Sequence, residues 1–232
     1  MSELFDAVVN LIRFLIPFIP SLASFVLGWG LFEVTERRRA AMRTRAARSA
    51  LVAELQRVEV ILSTSVYLFS LGSEDPTDGV REFRWSIMHG RARSAFVEEP
   101  PKELMALSAK SDEEIAKAFR TFRPWRQPGL TVPLPVLDSV LANPDSGLTL
   151  EQWQRLEHVK WESHLLEVAA TDVREWLHFT FTVTDPDNHR VVEENHLGAR
   201  MAYAKRANYM LRPVRGALKA LGASEDHVAQ AP

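Results

Sequence analysis

At 232 residues, with 46% apolar and 25% charged residues, the chain has the composition of an ordinary folded protein and room for one medium domain or a small domain with an appendage. A net charge of −2 gives no global case for nucleic-acid binding, and the absence of cysteine excludes disulfides, thiolate metal sites and a thiol nucleophile. The average hides a split: residues 34–57 carry seven arginines against Glu36 and Glu54, a local balance of +5.

The first element in chain order is an apolar run. Phe14 to Phe32, FLIPFIPSLASFVLGWGLF, covers nineteen residues without a charge. As a helix it would extend roughly 28 Å, close to the hydrocarbon core of a bilayer. Trp29 and Phe32 stand at its charged end, where aromatic residues anchor at headgroups. Pro17 and Pro20 would break a soluble helix but are tolerated as a kink in a membrane span. A cleaved signal peptide fits less well, because the start carries Glu3 and Asp6 and arginine-rich helix follows. A buried core helix is the bland alternative, and nineteen uncharged residues suit a span better. The expectation is an N-terminal segment and transmembrane helix over residues 1–33.

Arg37, Arg38, Arg39, Arg43 and Arg45 follow at once, with only Arg13 on the other side of the run. Positive charge flanking a span stays on the cytoplasmic side, so the N-terminus is expected outside and residues 34–232 in the cytoplasm, against the inner membrane. These arginines, with Trp29, are expected to contact membrane lipids at about 1 kcal/mol per basic residue. Nucleic acid is not an expected partner, since a basic block held against a bilayer is a poor docking face for a duplex.

The helix continues past the arginines. Arg48, Leu51, Leu55, Val58, Leu62, Ser65 and Phe69 recur with alternating spacings of 3 and 4, an apolar seam over about three heptads. The seam must be buried, either by downstream amphipathic helices, the favoured outcome, or by a second copy. Gly72 and SEDPTDG then read as a stop and a turn. Shorter helices are expected over 80–97 with an interruption at Gly90, over 101–109, and over 112–123 behind a Ser111/Glu114 capping box. Residues 124–135 are loop-like, and a short helix over 134–142 precedes a turn. Thr149 and Gln152 form a second capping box before a long helix to about residue 180, where FTFTVT alternates like a strand. TDPDN reads as a turn, residues 191–221 as a last long helix with a kink or break at Pro213, and 223–232 as a frayed tail. The fold class is therefore all-α: one membrane helix followed by an antiparallel helical bundle over residues 34–222.

Chemistry is sparse. Glu175 with His178 and Glu193 with His196 have the spacing that puts two metal ligands on one helix face, and carboxylate-bridged bundles join two such pairs to further glutamates, here Glu54 or Glu59 and Glu162 or Glu167. Solvated helix surface is the simpler reading of these pairs, so no metal and no cofactor is expected. FRTFRPWR (119–126) interleaves Phe119, Phe122 and Trp125 with three arginines, as a core edge or a headgroup contact. No P-loop, dinucleotide fingerprint, nucleophile elbow or zinc-protease motif occurs.

The order of parts, with LVAEL (51–55) after the arginine block and PVLDSVLANPDSGLTLEQWQRLE (135–157), resembles bacterial single-span membrane proteins with an arginine-rich juxtamembrane helix and a helical cytoplasmic domain. The resemblance covers most of the chain through motifs of low specificity and implies no activity. Some proteins of that build act in phage defence or as accessory membrane subunits. The expected function is non-enzymatic: a membrane-anchored interaction or scaffold protein that binds an unidentified protein partner or itself. A membrane-perturbing oligomeric effector and a metal-dependent bundle enzyme are the alternatives.

Overall fold

A computed structural model describes residues 19–90, 106–121, 130–143, 146–183 and 185–223. The regular elements among them are all helical: α1 (Ile19–Phe69), α2 (Thr77–Gly90), a 3-10 turn (Leu107–Ala109), α3 (Asp112–Thr121), α4 (Pro135–Leu141), α5 (Leu150–Thr182) and α6 (Pro186–Ala220). The chain falls into two units, Met1–Ala46 and Ala47–Pro232.

In the first unit, the described part of α1 carries Phe25, Leu27, Trp29, Leu31 and Phe32, each between 62% and 72% exposed. At 100° per residue these five side chains fall on two roughly opposite faces of the helix, Phe25, Trp29 and Phe32 on one and Leu27 and Leu31 on the other. The expected membrane helix over Phe14–Phe32 is only partly described, because residues 14–18 lie outside the described residues. Among the described residues no helix is long and apolar enough to cross a membrane. The described remainder, Ile19–Phe32, is fourteen residues, or roughly 21 Å of helix, shorter than a hydrocarbon core.

In the second unit, α5 and α6 form an antiparallel hairpin. Arg206 meets Glu162 at 3.5 Å midway along it, and the Gln152 amide donates to the Ala220 carbonyl at 2.8 Å near its open end. The part of α1 from Ala47 onward lies antiparallel to α6: Arg48 donates to the Leu221 carbonyl at 2.9 Å, while Phe69 meets the Tyr203 ring edge-on at 5.3 Å. Of the seven predicted seam residues Arg48 stays exposed and Ser65 is buried, and the five apolar ones, Leu51, Leu55, Val58, Leu62 and Phe69, are fully buried. They share one core with Leu156, Val159, Leu166 and Val173 of α5 and with Tyr203, Met210, Leu211 and Val214 of α6. A smaller core joins Tyr67 and Leu71 to Val80 and Phe83 of α2 and to Ile115 and Phe119 of α3. Gly79 lets α2 approach the end of α1 so closely that a Cβ there would stand 2.4 Å from that of Ser70.

Several boundaries differ from expectation for identifiable reasons. Both capping boxes form: Gln152 N–H donates to Thr149 Oγ1 at 3.2 Å, and Glu114 N–H donates to Ser111 Oγ at 3.3 Å. FTFT is the end of the long helix, as expected in the absence of a partner strand, and α5 runs to Thr182. TDPDN is not a free turn: Pro186 opens α6, His189 N–H donates to the Asp185 carbonyl at 2.8 Å, and Asn188 donates to the Asp185 carboxylate at 2.9 Å. Pro213 sits inside α6 without ending it. Gly72 and Gly222 adopt φ of 83° and 73° just past helix ends, the left-handed stops expected of them. The predicted helices over 80–97, 101–109 and 112–123 extend in part outside the described residues, as do Phe122 and Trp125 and most of the tail 223–232. Phe119 is fully buried, so the core reading of that stretch holds where it is described.

Candidate functional site

The arginine block forms an exposed stretch of α1. Arg37, Arg38, Arg39, Arg43 and Arg45 all face solvent. Arg37 pairs with Glu33 at 2.8 Å and Arg39 with Glu36 at 2.9 Å, exposed i,i+4 and i,i+3 pairs that contribute only a few tenths of a kcal/mol. Just before them, Trp29 is among the exposed apolar side chains. The seam residues, by contrast, are consumed by the protein's own core and offer no external surface.

A buried ionic cluster that periodicity does not reveal joins α1, α2 and α6. Glu82 of α2 is fully buried, and Glu59 of α1 nearly so. Arg215 of α6 donates from Nε to Glu59 at 2.9 Å and through both terminal nitrogens to Glu82, at 3.2 and 2.7 Å. Ser63 adds a hydroxyl bond to Glu82 Oε2 at 3.0 Å and shares another, also 3.0 Å, with Ser86. The Arg215 guanidinium also lies 4.8 Å over the Trp85 ring. At the rim, Arg81 donates to Asn208 at 2.8 Å, and Asn208 donates to Asp78 at 2.8 Å.

The electrostatics follow from this geometry. Burial pushes the Glu82 carboxyl up, but hydrogen bonds and charge from Arg215, with Arg81 and Ser63, outweigh it and hold it below its ordinary value. Burial likewise pushes Arg215 down, and Glu82 and Glu59 more than reverse that. The Glu82 carboxylate is thus an ionised acceptor rather than a proton donor. The Ser63 hydroxyl is fully buried, so no substrate reaches it. The cluster's chemistry is that of a lock between three helices.

No family model, curated protein or solved structure matches this chain. The resemblance to bacterial single-span proteins gains nothing from these comparisons, and function must be read from the residues themselves.

Glu175, His178 and Glu193 are exposed and His196 is half-buried. Glu193 pairs with His189 at 3.5 Å, and His178 lies beside the Phe179 ring with centroids 6.2 Å apart. The further glutamates are engaged elsewhere. Glu59 belongs to the ionic lock, Glu162 faces Arg206, and Glu167 pairs with Arg174 at 2.8 Å. Glu54 accepts from the backbone N–H groups of Val136 and Leu137 at 3.0 and 2.8 Å. Among the described residues no three potential ligands come together to hold a metal ion. Sequence spacing could show that Glu54 and Glu59 lie on α1, but not that each is spent on a tertiary contact more than 80 residues away.

Proposed function

We propose that this chain is a single-span membrane-anchored helical protein that holds a rigid bundle beside the inner face of the bilayer, as an interaction module without catalytic activity. The observation that carries this reading is the exposure of Phe25, Leu27, Trp29, Leu31 and Phe32 on two opposite faces of α1, directly before the solvent-facing arginines. Exposing that much apolar surface to water is unfavourable by about 25 cal/mol per Å². A surround that covers opposite faces of one helix at once is lipid, and the uncharged residues 14–18 complete the required length. The arginines then fix orientation and meet anionic headgroups.

Interaction, rather than catalysis, is supported by the chemistry that remains. The buried Glu82 is held ionised by Arg215, Glu54 and Glu59 are spent on contacts between helices, and the apolar seam is internal. Exposed apolar side chains still project from the hairpin, including Trp161 and Val168 of α5 and Phe181 at its tip, which suits a protein partner.

The test is fractionation of the tagged protein followed by protease treatment of spheroplasts. The protein is expected in the carbonate-resistant membrane fraction, with a C-terminal tag protected until the membrane is opened. A tag digested in intact spheroplasts would overturn the orientation, and release by carbonate would overturn the span.

A further inference from the structure

Two arginines on α6 stand in opposite situations. Arg215 spends its guanidinium edge on Glu59 through Nε and on Glu82 through Nη2. Fifteen residues earlier, Arg200 is only 9% exposed, yet its Nε and Nη2 are both buried and meet no acceptor among the described residues. Those two atoms form one edge of the guanidinium, and that edge presents parallel N–H donors to a single carboxylate or phosphate. The flat face of the group lies 5.1 Å over the Phe69 ring, which orients the fork without neutralising it.

Among the described residues no counter-charge is paired with Arg200. His196, one turn earlier on the same face, has its pKa lowered first by burial and then by the charge of Arg200, so it stays neutral. Tyr203, on the following turn, donates its hydroxyl to the Leu130 carbonyl at 3.1 Å. Burial also lowers the Arg200 pKa, but an arginine does not lose its proton near neutrality, so the strain cannot be relieved by neutralisation. A charge buried in this way is a cost unless an anion pairs with it.

We propose that Arg200 anchors an oxyanion site that receives a carboxylate or phosphate group on its Nε/Nη2 edge, at the end of the second unit where α1 stops. From Arg48 to Phe69 the helix rises roughly 30 Å, so the site lies at the opposite end of the unit from the arginine-flanked entry of α1. The site does not depend on the membrane reading and would survive its failure.

The experiment is thermal unfolding of the full chain in neutral detergent, followed by circular dichroism, for the wild type and Arg200→Met. Inorganic phosphate and acetate are compared with chloride at constant ionic strength. The wild-type midpoint should rise by several degrees with millimolar phosphate or acetate, and the Arg200→Met midpoint should not move. Without added oxyanion, Arg200→Met should be at least as stable as the wild type, because an unpaired buried charge has been removed. Equal shifts in both proteins, or none in the wild type, would overturn the site. So would an Arg200→Met chain that is less stable or fails to fold, since Arg200 would then already have its acceptor within the protein. Calorimetric titration of the wild type with phosphate provides a readout independent of the variant, with one site expected and no heat of binding counting against it. An Arg200-dependent shift produced by phosphatidylglycerol mixed micelles but not by phosphate would replace the soluble anion with a headgroup.

Discussion

At the scale of single residues, energy is concentrated where charge is buried. Removing Arg215 leaves Glu59 and Glu82 facing each other in a closed interior. Breaking a buried pair in this way typically costs 3–5 kcal/mol; since 31% of the Arg215 side chain remains exposed, Arg215→Met should fall near the lower bound, about 3 kcal/mol by chemical denaturation. The same cluster sets a dependence on pH. Glu82 lies below its ordinary 4.5, so its contribution is fully present above that value and is lost as pH falls through the lowered one. The unfolding midpoint should therefore drop on acidification below about pH 4.5, and Glu82→Gln should flatten that drop while lowering the midpoint at neutral pH. An unchanged acid slope in Glu82→Gln would transfer the effect to other carboxylates.

At the scale of elements, helix ends are where distant parts of the chain meet. Pro135 removes one unsatisfied N–H at the start of α4, and Leu134 offers no side-chain cap. Glu54 supplies it instead from α1, with its charge at the positive end of the short helix. Glu54→Gln keeps the shape but loses the charge and one acceptor oxygen, and should cost about 1–2 kcal/mol. Gly79→Ala attacks another junction. The new methyl would collide with Ser70 Cβ, an atom too close to the backbone to swing aside, so α2 must shift and about 1–3 kcal/mol should be lost, read as a lower midpoint in urea. The contrast between these elements explains what the sequence could reveal. Thr149/Gln152, Ser111/Glu114, Gly72 and Gly222 act within a few residues of themselves, and the seam repeats with the period of a helix, so each was legible. Glu54, Glu82 and Arg200 are ordinary charged residues in any local window. Their meaning comes from partners on other helices, or from the lack of one, and no periodicity encodes that. At TDPDN the reversal was legible but the start of α6 was not: Pro186 and Asn188 suit a turn and a first helical turn equally well, and only the Asp185 carbonyl bond to His189 decides between them.

At the scale of the whole molecule, the apolar surface is divided between two destinations. From Leu51 onward α1 buries its stripe in the bundle, whereas none of its described side chains before Leu51 is buried. The expected domain boundary at residue 33 marked a change in composition, and the observed division at Ala46 and Ala47 marks where burial begins. The two criteria differ because the arginine-rich segment is charged like a soluble helix but packs into no core. A chain lacking residues 1–33 should therefore lose none of the buried contacts that hold the bundle. It should be soluble without detergent, keep its helical circular dichroism, and unfold within about 0.5 kcal/mol of the full chain, as expected when changes avoid packed positions. Leu55→Ala in that shortened chain is the control, because emptying a fully buried leucine position should cost about 2–5 kcal/mol. If the shortened chain aggregates or loses its cooperative transition while remaining helical, residues 1–33 would be part of the fold and not a separate anchor. If it is soluble and the full chain is soluble as well, the exposed apolar turn of α1 would have to be covered by protein, which replaces the lipid surround with a partner chain.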